Sequence, residues 1–150
     1  MEKFDALYRI IWMSRPLMQA AEATVETALR DTDLTVRMRA VLEILLQFGD
    51  LAVPDIALRL EIKRQYVQVM VNETLDAGLT KKLPNPRHKR SVLISLTERG
   101  HTLIEEVVAQ EKRLAMSLAQ GFEEEDILNA LQVVERLTER LKQVAEGEDG

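Results

Sequence analysis

Gln65, Gln68, Val69 and Asn72 have the chemistry to read a base edge. Glutamine and asparagine amides can pair bidentately with adenine, and a valine methyl can touch the methyl of thymine. At about 100° per residue, the run Arg64–Ala77 centres an apolar face on Val67 and Val71 and turns these four side chains outward. Lys63 and Arg64 stand at its start, with Tyr66 in the same first turn, where phosphates would pass. Glu73 and Asp76 stand toward its far end, where a helix lying obliquely in a major groove leaves the duplex.

A second cluster follows at once. Lys82, Arg87, His88, Lys89 and Arg90 belong to the stretch "KKLPNPRHKRS", and between Leu79 and Val92 there are five Lys and Arg and no acid. A guanidinium is drawn into a narrow minor groove by the enhanced negative potential there, and Arg87 and Arg90 are the candidates. The chain as a whole carries a formal charge of -5, which taken alone argues against a nucleic-acid partner. The distribution reverses that argument. Thr35 to Gly100 holds eleven cations and seven acids, a balance of +4, so the flanks carry -9.

Other chemistries find little support. Cysteine is absent, which excludes disulfides and thiol sensing. His88 and His101 are too isolated to build a metal cage, and neither has a nucleophile beside it. Ser14, Ser91, Ser95 and Ser117 carry no nucleophile-elbow motif, and the six glycines form no phosphate loop. Catalysis, cofactors and metals are therefore not expected. The N-terminal apolar residues are interrupted by Asp5, Arg9 and Arg15, so neither a signal peptide nor a membrane span is expected, and a cytoplasmic protein is.

The elements that must position these clusters read mainly as helix. Phe4, Tyr8 and Trp12 recur at every fourth residue in a helix from about Phe4 to Arg30 that Pro16 should kink or break. Thr35 is a plausible N-cap for a helix carrying Met38, Val41, Leu42, Leu45 and Leu46 and closed by Gly49. Pro54 suits the first turn of a short helix to Leu60; a turn at Glu61–Lys63 then leads into Arg64–Ala77, ended by Gly78. Two short helices joined this way are a helix-turn-helix candidate. Leu79–Leu83 and Ser91–Leu96 are short strands around a proline-rich tip whose Pro84 and Pro86 discourage ladder pairing. Thr97 can cap a long helix to about Gln120, and the acidic turn after Gly121 opens a last helix to about Ala145, with a fraying "EGEDG" tail.

The ordered whole, "LTVRMRAVLEILLQFG", "DIALRLEIKRQYVQVMVNETLDAGL" and "KKLPNPRHKRSVLISLTERG", resembles the MarR family of winged helix-turn-helix transcription regulators from about Leu34 to Gly100. The resemblance implies one MarR-like domain over 1–150, with a winged helix-turn-helix at 34–101 and a helical dimerisation region formed by 1–33 and 102–146. It implies a homodimeric regulator, a repressor by expectation, placing two recognition helices and two wings on a pseudo-palindromic double-stranded DNA operator. On the last helix Ile127, Leu128, Leu131, Val134, Leu137, Leu141 and Val144 form an apolar stripe that wants either a partner or an intrachain core.

The family also implies a pocket for a small aromatic or anionic effector. Tyr8, Trp12, Met13, Arg15, Met18, Met38 and Phe48 are candidates for its lining, Arg15 being the obvious anion partner, although such a stripe is more often core. One position departs from the family. Its wing commonly carries Asp-x-Arg, the acid orienting the arginine that enters the minor groove, whereas here the triplet is His88, Lys89, Arg90. An imidazole cannot act as that carboxylate. The rival to a DNA-binding regulator is a winged helix that binds another protein through its acidic helical arms.

Overall fold

The computed structural model describes residues 1–148. Its elements, in chain order, are α1 (Lys3–Leu29), α2 (Val36–Phe48), α3 (Val53–Leu60), α4 (Arg64–Asp76), β1 (Thr80–Pro84), β2 (Val92–Leu96), α5 (Glu98–Ala119) and α6 (Glu124–Glu148). The expected class, mainly helical with a small β-hairpin, is the one observed.

Local chemistry explains most boundaries. Thr35 caps α2, its hydroxyl accepting from the Met38 N–H at 3.2 Å, and Gly49 closes the helix at φ +82°. Pro54 sits in the first turn of α3, where its missing N–H has no helical partner to lose. The α3–α4 turn is made by Glu61 in the left-handed region at φ 55°. Thr97 starts α5, its hydroxyl accepting from the Gly100 N–H at 3.1 Å.

Three expectations need correction. Pro16 does not break α1; its ring removes the single bond to the Trp12 carbonyl, while thirteen helical residues stand on either side. Pro84 does pair, with Val92, but on the last rung of the ladder, where a strand tolerates proline. Residues Glu146 and Gly147 of the "EGEDG" tail are helical, α6 continuing to Glu148, and Asp149 and Gly150 lie outside the described residues.

The chain divides into two compact units, one formed by Met1–Met18 and Leu114–Gly150, the other by Gln19–Arg113. The larger unit has two layers of core. Val41, Leu45, Ile56, Val67, Met70, Val71 and Ile94 bury the inner faces of α2, α3 and α4 against the hairpin. Leu29, Leu34, Met38, Leu42, Leu79, Ile104 and Val107 join the end of α1, α2 and the start of α5. The smaller unit is different: none of its described side chains is buried, and only Ala6, Ile11 and Leu137 are half-buried. Among the described residues no helix is long and apolar enough to cross a membrane.

Candidate nucleic-acid interface

Packing of Val67, Met70, Val71 and Thr74 into the core fixes which side of α4 faces outward. Lys63, Arg64, Gln65, Tyr66, Gln68, Val69 and Asn72 are all exposed, as their spacing predicts. Tyr66 and Val69 are 46% and 49% accessible, so the outward face is neither uniformly polar nor closed. The Gln68 Nε2 donates to the Asn72 Oδ1 at 3.0 Å, one turn further along. This i,i+4 amide pair restrains both side chains and leaves Gln68 Oε1 as an acceptor and Asn72 as a donor.

The hairpin rises beside α4. β1 and β2 pair antiparallel in the register Thr80↔Leu96 to Pro84↔Val92. A single rung adds a third segment, Leu51, which exchanges hydrogen bonds with Ile94 at 3.2 and 2.8 Å and ties the hairpin to the loop before α3. A one-residue strand leaves no alternation in the sequence, so this tie has no sequence signature. At the root, Thr74 and Thr80 share a buried hydroxyl contact of 2.8 Å that joins α4 to β1.

The tip is organised by Asn85. Its Nδ2 donates to the Ser91 Oγ at 2.9 Å across the loop, and its Oδ1 accepts from the Arg87 N–H at 3.0 Å. Backbone bonds from His88 N–H to the Asn85 carbonyl and from Ser91 N–H to the His88 carbonyl complete two turns. Lys82, Arg87, His88, Lys89 and Arg90 all project as exposed residues. Among the described ion pairs none involves Arg90. The tip backbone is thus shaped by an amide, and no carboxylate within the loop orients the arginine.

Four of the eleven cations of the Thr35–Gly100 segment make contacts within the protein, although Arg37, Arg59 and Arg99 are themselves exposed. Arg37 pairs with Glu73 at 2.8 Å across α2 and α4. Arg39 forms a bidentate pair with Glu111 on α5 and also bonds Glu43 at 2.6 Å. The hydrogen-bonded Glu111 raises the Arg39 pKa, burial works against the rise, and Glu43 adds to it. Arg59 lies 3.7 Å over the Phe48 ring. Arg99 bonds the Ala77 carbonyl at 3.0 Å, closing the end of α4, and reaches toward Asp33 at 3.8 Å. The seven that remain, Lys63, Arg64, Lys81, Lys82, Arg87, Lys89 and Arg90, are exposed and confined to the start of α4 and the hairpin.

The seven effector candidates are placed separately. Tyr8 and Trp12 meet edge to face, ring centroids 6.2 Å apart. Met13 borders an apolar slot of about 260 Å³ between α1 and α6, with Ile10, Leu17, Leu137 and Leu141. Arg15 and Met18 are exposed in the same unit. In the larger unit Met38 is buried in the core, and Phe48 is half-covered by Arg59.

No protein-family model matches the chain. A MarR family transcription regulator of known crystal structure is 30% identical, with a TM-score of 0.89, the match covering 96% of this chain and 95% of that one. The HTH-type transcriptional repressor MdtR of Bacillus subtilis is 28% identical over 150 residues, covering 99% of this chain and 94% of its own. FabT of Streptococcus pneumoniae, solved in complex with DNA, is 16% identical and shares the fold at a TM-score of 0.79, over 92% of this chain and 99% of that one. Helix-turn-helix, hairpin and near-complete coverage agree: the chain belongs to the MarR family of winged helix-turn-helix DNA-binding transcriptional regulators.

Proposed function

We propose that this regulator is a cytoplasmic repressor that binds a pseudo-palindromic duplex operator as a homodimer, with α4 in the major groove and the β1–β2 wing in the minor groove. Half-sites would then lie about one DNA turn apart. The observation that carries the reading is that the seven cations of the Thr35–Gly100 segment with no described ion pair or ring contact all stand at the start of α4 and in the wing, on either side of the outward Gln65, Gln68, Val69 and Asn72. Lys63, Arg64 and Lys82 take phosphates in this arrangement, the α4 amides read bases, and Arg87, His88, Lys89 and Arg90 serve the wing. The relative MdtR is named a repressor, and FabT was solved on DNA.

Burial supports the dimer. Helices with no buried side chain gain little from folding alone, since a domain is stabilised by removing apolar area from water. Phe4, Trp12, Leu17, Met116, Phe122 and Leu131 are all more than half exposed in the smaller unit. A second copy would cover them, which supports a dimerisation region within residues 1–33 and 102–146, with 34–101 as the DNA-binding region. A small aromatic or anionic effector would use the Tyr8–Trp12 pair and Arg15 to release the operator.

Fluorescence anisotropy on a duplex at about 50 and 200 mM salt tests the interface. Arg90→Ala should weaken binding and lower the salt slope by roughly one. Equal affinity and equal slope in the two proteins would remove the wing from the interface, and salt-insensitive binding would favour a protein partner.

A further inference from the structure

Beside the wing tip lies a cleft of about 390 Å³ whose walls carry opposite charge. Asp50 and Asp55 line one side, from the α2–α3 loop and the first turn of α3; Arg87 and His88 line the other. Asn85, also in the wall, has its amide engaged with Ser91 and the Arg87 N–H, and Leu51 and Leu93 are apolar. None of the described ion pairs includes any of the four titratable groups. The rung between Leu51 and Ile94 fixes the loop against β2, and its antiparallel sense carries the chain from Leu51 to Asp55 in the direction of the tip. Two carboxylates are therefore held beside the side chains that face DNA phosphate.

We propose that Asp50 and Asp55 are positioning residues for the wing, drawing Arg87 across the cleft in the DNA-free protein and releasing it when a phosphate competes. The reasoning is electrostatic. A carboxylate on a phosphate-binding face opposes binding, and Asp55 has a helix-dipole role only at the start of α3, while Asp50 lies outside any helix. Arg87 has a long flexible stem anchored at its backbone by Asn85, so its guanidinium can sweep the cleft while the loop stays fixed. The partner exchange lets the wing remain ordered without DNA, at the expense of some affinity. The value of Arg87 as a DNA contact rests on the function proposed above; its restraint by the two acids does not.

The experiment has two arms. In the DNA-free protein, solvent exchange of the Arg87 Nε–H, followed by NMR, should be slower in wild type than in Asp50→Asn or Asp55→Asn, with Asp55→Glu retaining the wild-type rate. On DNA, a cycle of Asp55→Asn, Arg87→Gln and the double variant should be non-additive. Exposed ion pairs are worth about 0.2–1 kcal/mol, so Asp55→Asn should tighten duplex binding by roughly 1.4- to fivefold with Arg87 present and by clearly less in the Arg87→Gln background. General repulsion between Asp55 and DNA would instead give the same factor in both backgrounds. Unchanged Arg87 exchange in both Asn variants, or additive effects on binding, would overturn the proposal. If Arg87→Gln binds DNA as wild type does, Arg87 leaves the proposed interface, and the exchange measurement alone decides whether the acids restrain it.

Discussion

Gly100→Ala is the most informative single substitution outside the DNA-facing surface. Gly100 lies in the first turn of α5, and a Cβ added there would stand 2.0 Å from the Leu79 carbonyl oxygen and 2.9 Å from its carbon. Carbon and oxygen rest at about 3.4 Å even in a close C–H···O contact, so the backbones must part by about 1.4 Å. Leu79 cannot yield freely. Its side chain is fully buried, its N–H bonds the Thr74 carbonyl at 3.0 Å, and its carbonyl accepts from the Thr97 N–H at 3.0 Å. Thr97 in turn donates to the Gly78 carbonyl at 2.8 Å. Overpacking of this kind costs about 1–3 kcal/mol and a lost hydrogen bond about 1, so a loss of about 3 kcal/mol is expected. For a chain of this length that is a drop of roughly 10 °C in Tm, read by circular dichroism at fixed protein concentration. Duplex affinity measured well below the Tm should fall as well, because Gly78 and Leu79 join the recognition helix to the wing. A Gly100→Ala protein melting within about 2 °C of wild type, with wild-type affinity, would refute the view that this backbone approach sets the junction.

Three further outcomes are expected. Glu111→Gln should lower stability by about 1.5–3 kcal/mol, since Arg39 loses a charged bidentate partner, whereas Glu43→Gln, whose side chain is 41% exposed, should cost under about 1; thermal melts of the two variants compare them. Thr74→Val should cost about 1–3 kcal/mol by leaving the buried Thr80 hydroxyl without its side-chain partner, and Thr74→Val with Thr80→Val should recover part of it in a urea titration. Gln68→Ala should alter which operator sequences are preferred in competition against random duplex while leaving the salt slope near wild type, if the amide reads bases as proposed, since it carries no charge.

Much of this fold was legible because its punctuation is local. Thr35, Gly49, Pro54, Gly78, Thr97 and Gly121 each bound an element through a cap, a fixed φ or a left-handed residue, and the structure uses them that way. The α4 exposure pattern was legible too, because helical geometry alone decides which side Val67 and Val71 bury. What the sequence hid depends on residues far apart. The Leu51–Ile94 rung joins positions 43 residues apart through backbone atoms only. Gly100 looks like any glycine of a helix until Leu79 is brought against it. Asn85 reads as a turn former, yet its reach across to Ser91 is what holds the tip.

Charge was the least reliable guide at the level of counts and the most reliable once sorted by contact. Eleven cations in the middle segment suggest a broad basic surface, but Arg37, Arg39, Arg59 and Arg99 face Glu73, Glu43 and Glu111, Phe48, and the Ala77 carbonyl with Asp33. Groups held in the fold release no DNA counterions when the complex forms. A phosphate contact contributes about 0.9 to the salt slope, so the seven cations of this segment without a described internal contact set a ceiling near six per protomer, well below what all eleven would give. Arg37→Gln should therefore loosen the seam between α2 and α4 and lower the Tm while leaving the slope unchanged, and Lys82→Gln should do the reverse. A slope steeper than the ceiling, or one that falls with Arg37→Gln, would mean that the fold's internal ion pairs open on DNA and that the division between structural and DNA-facing cations is not fixed.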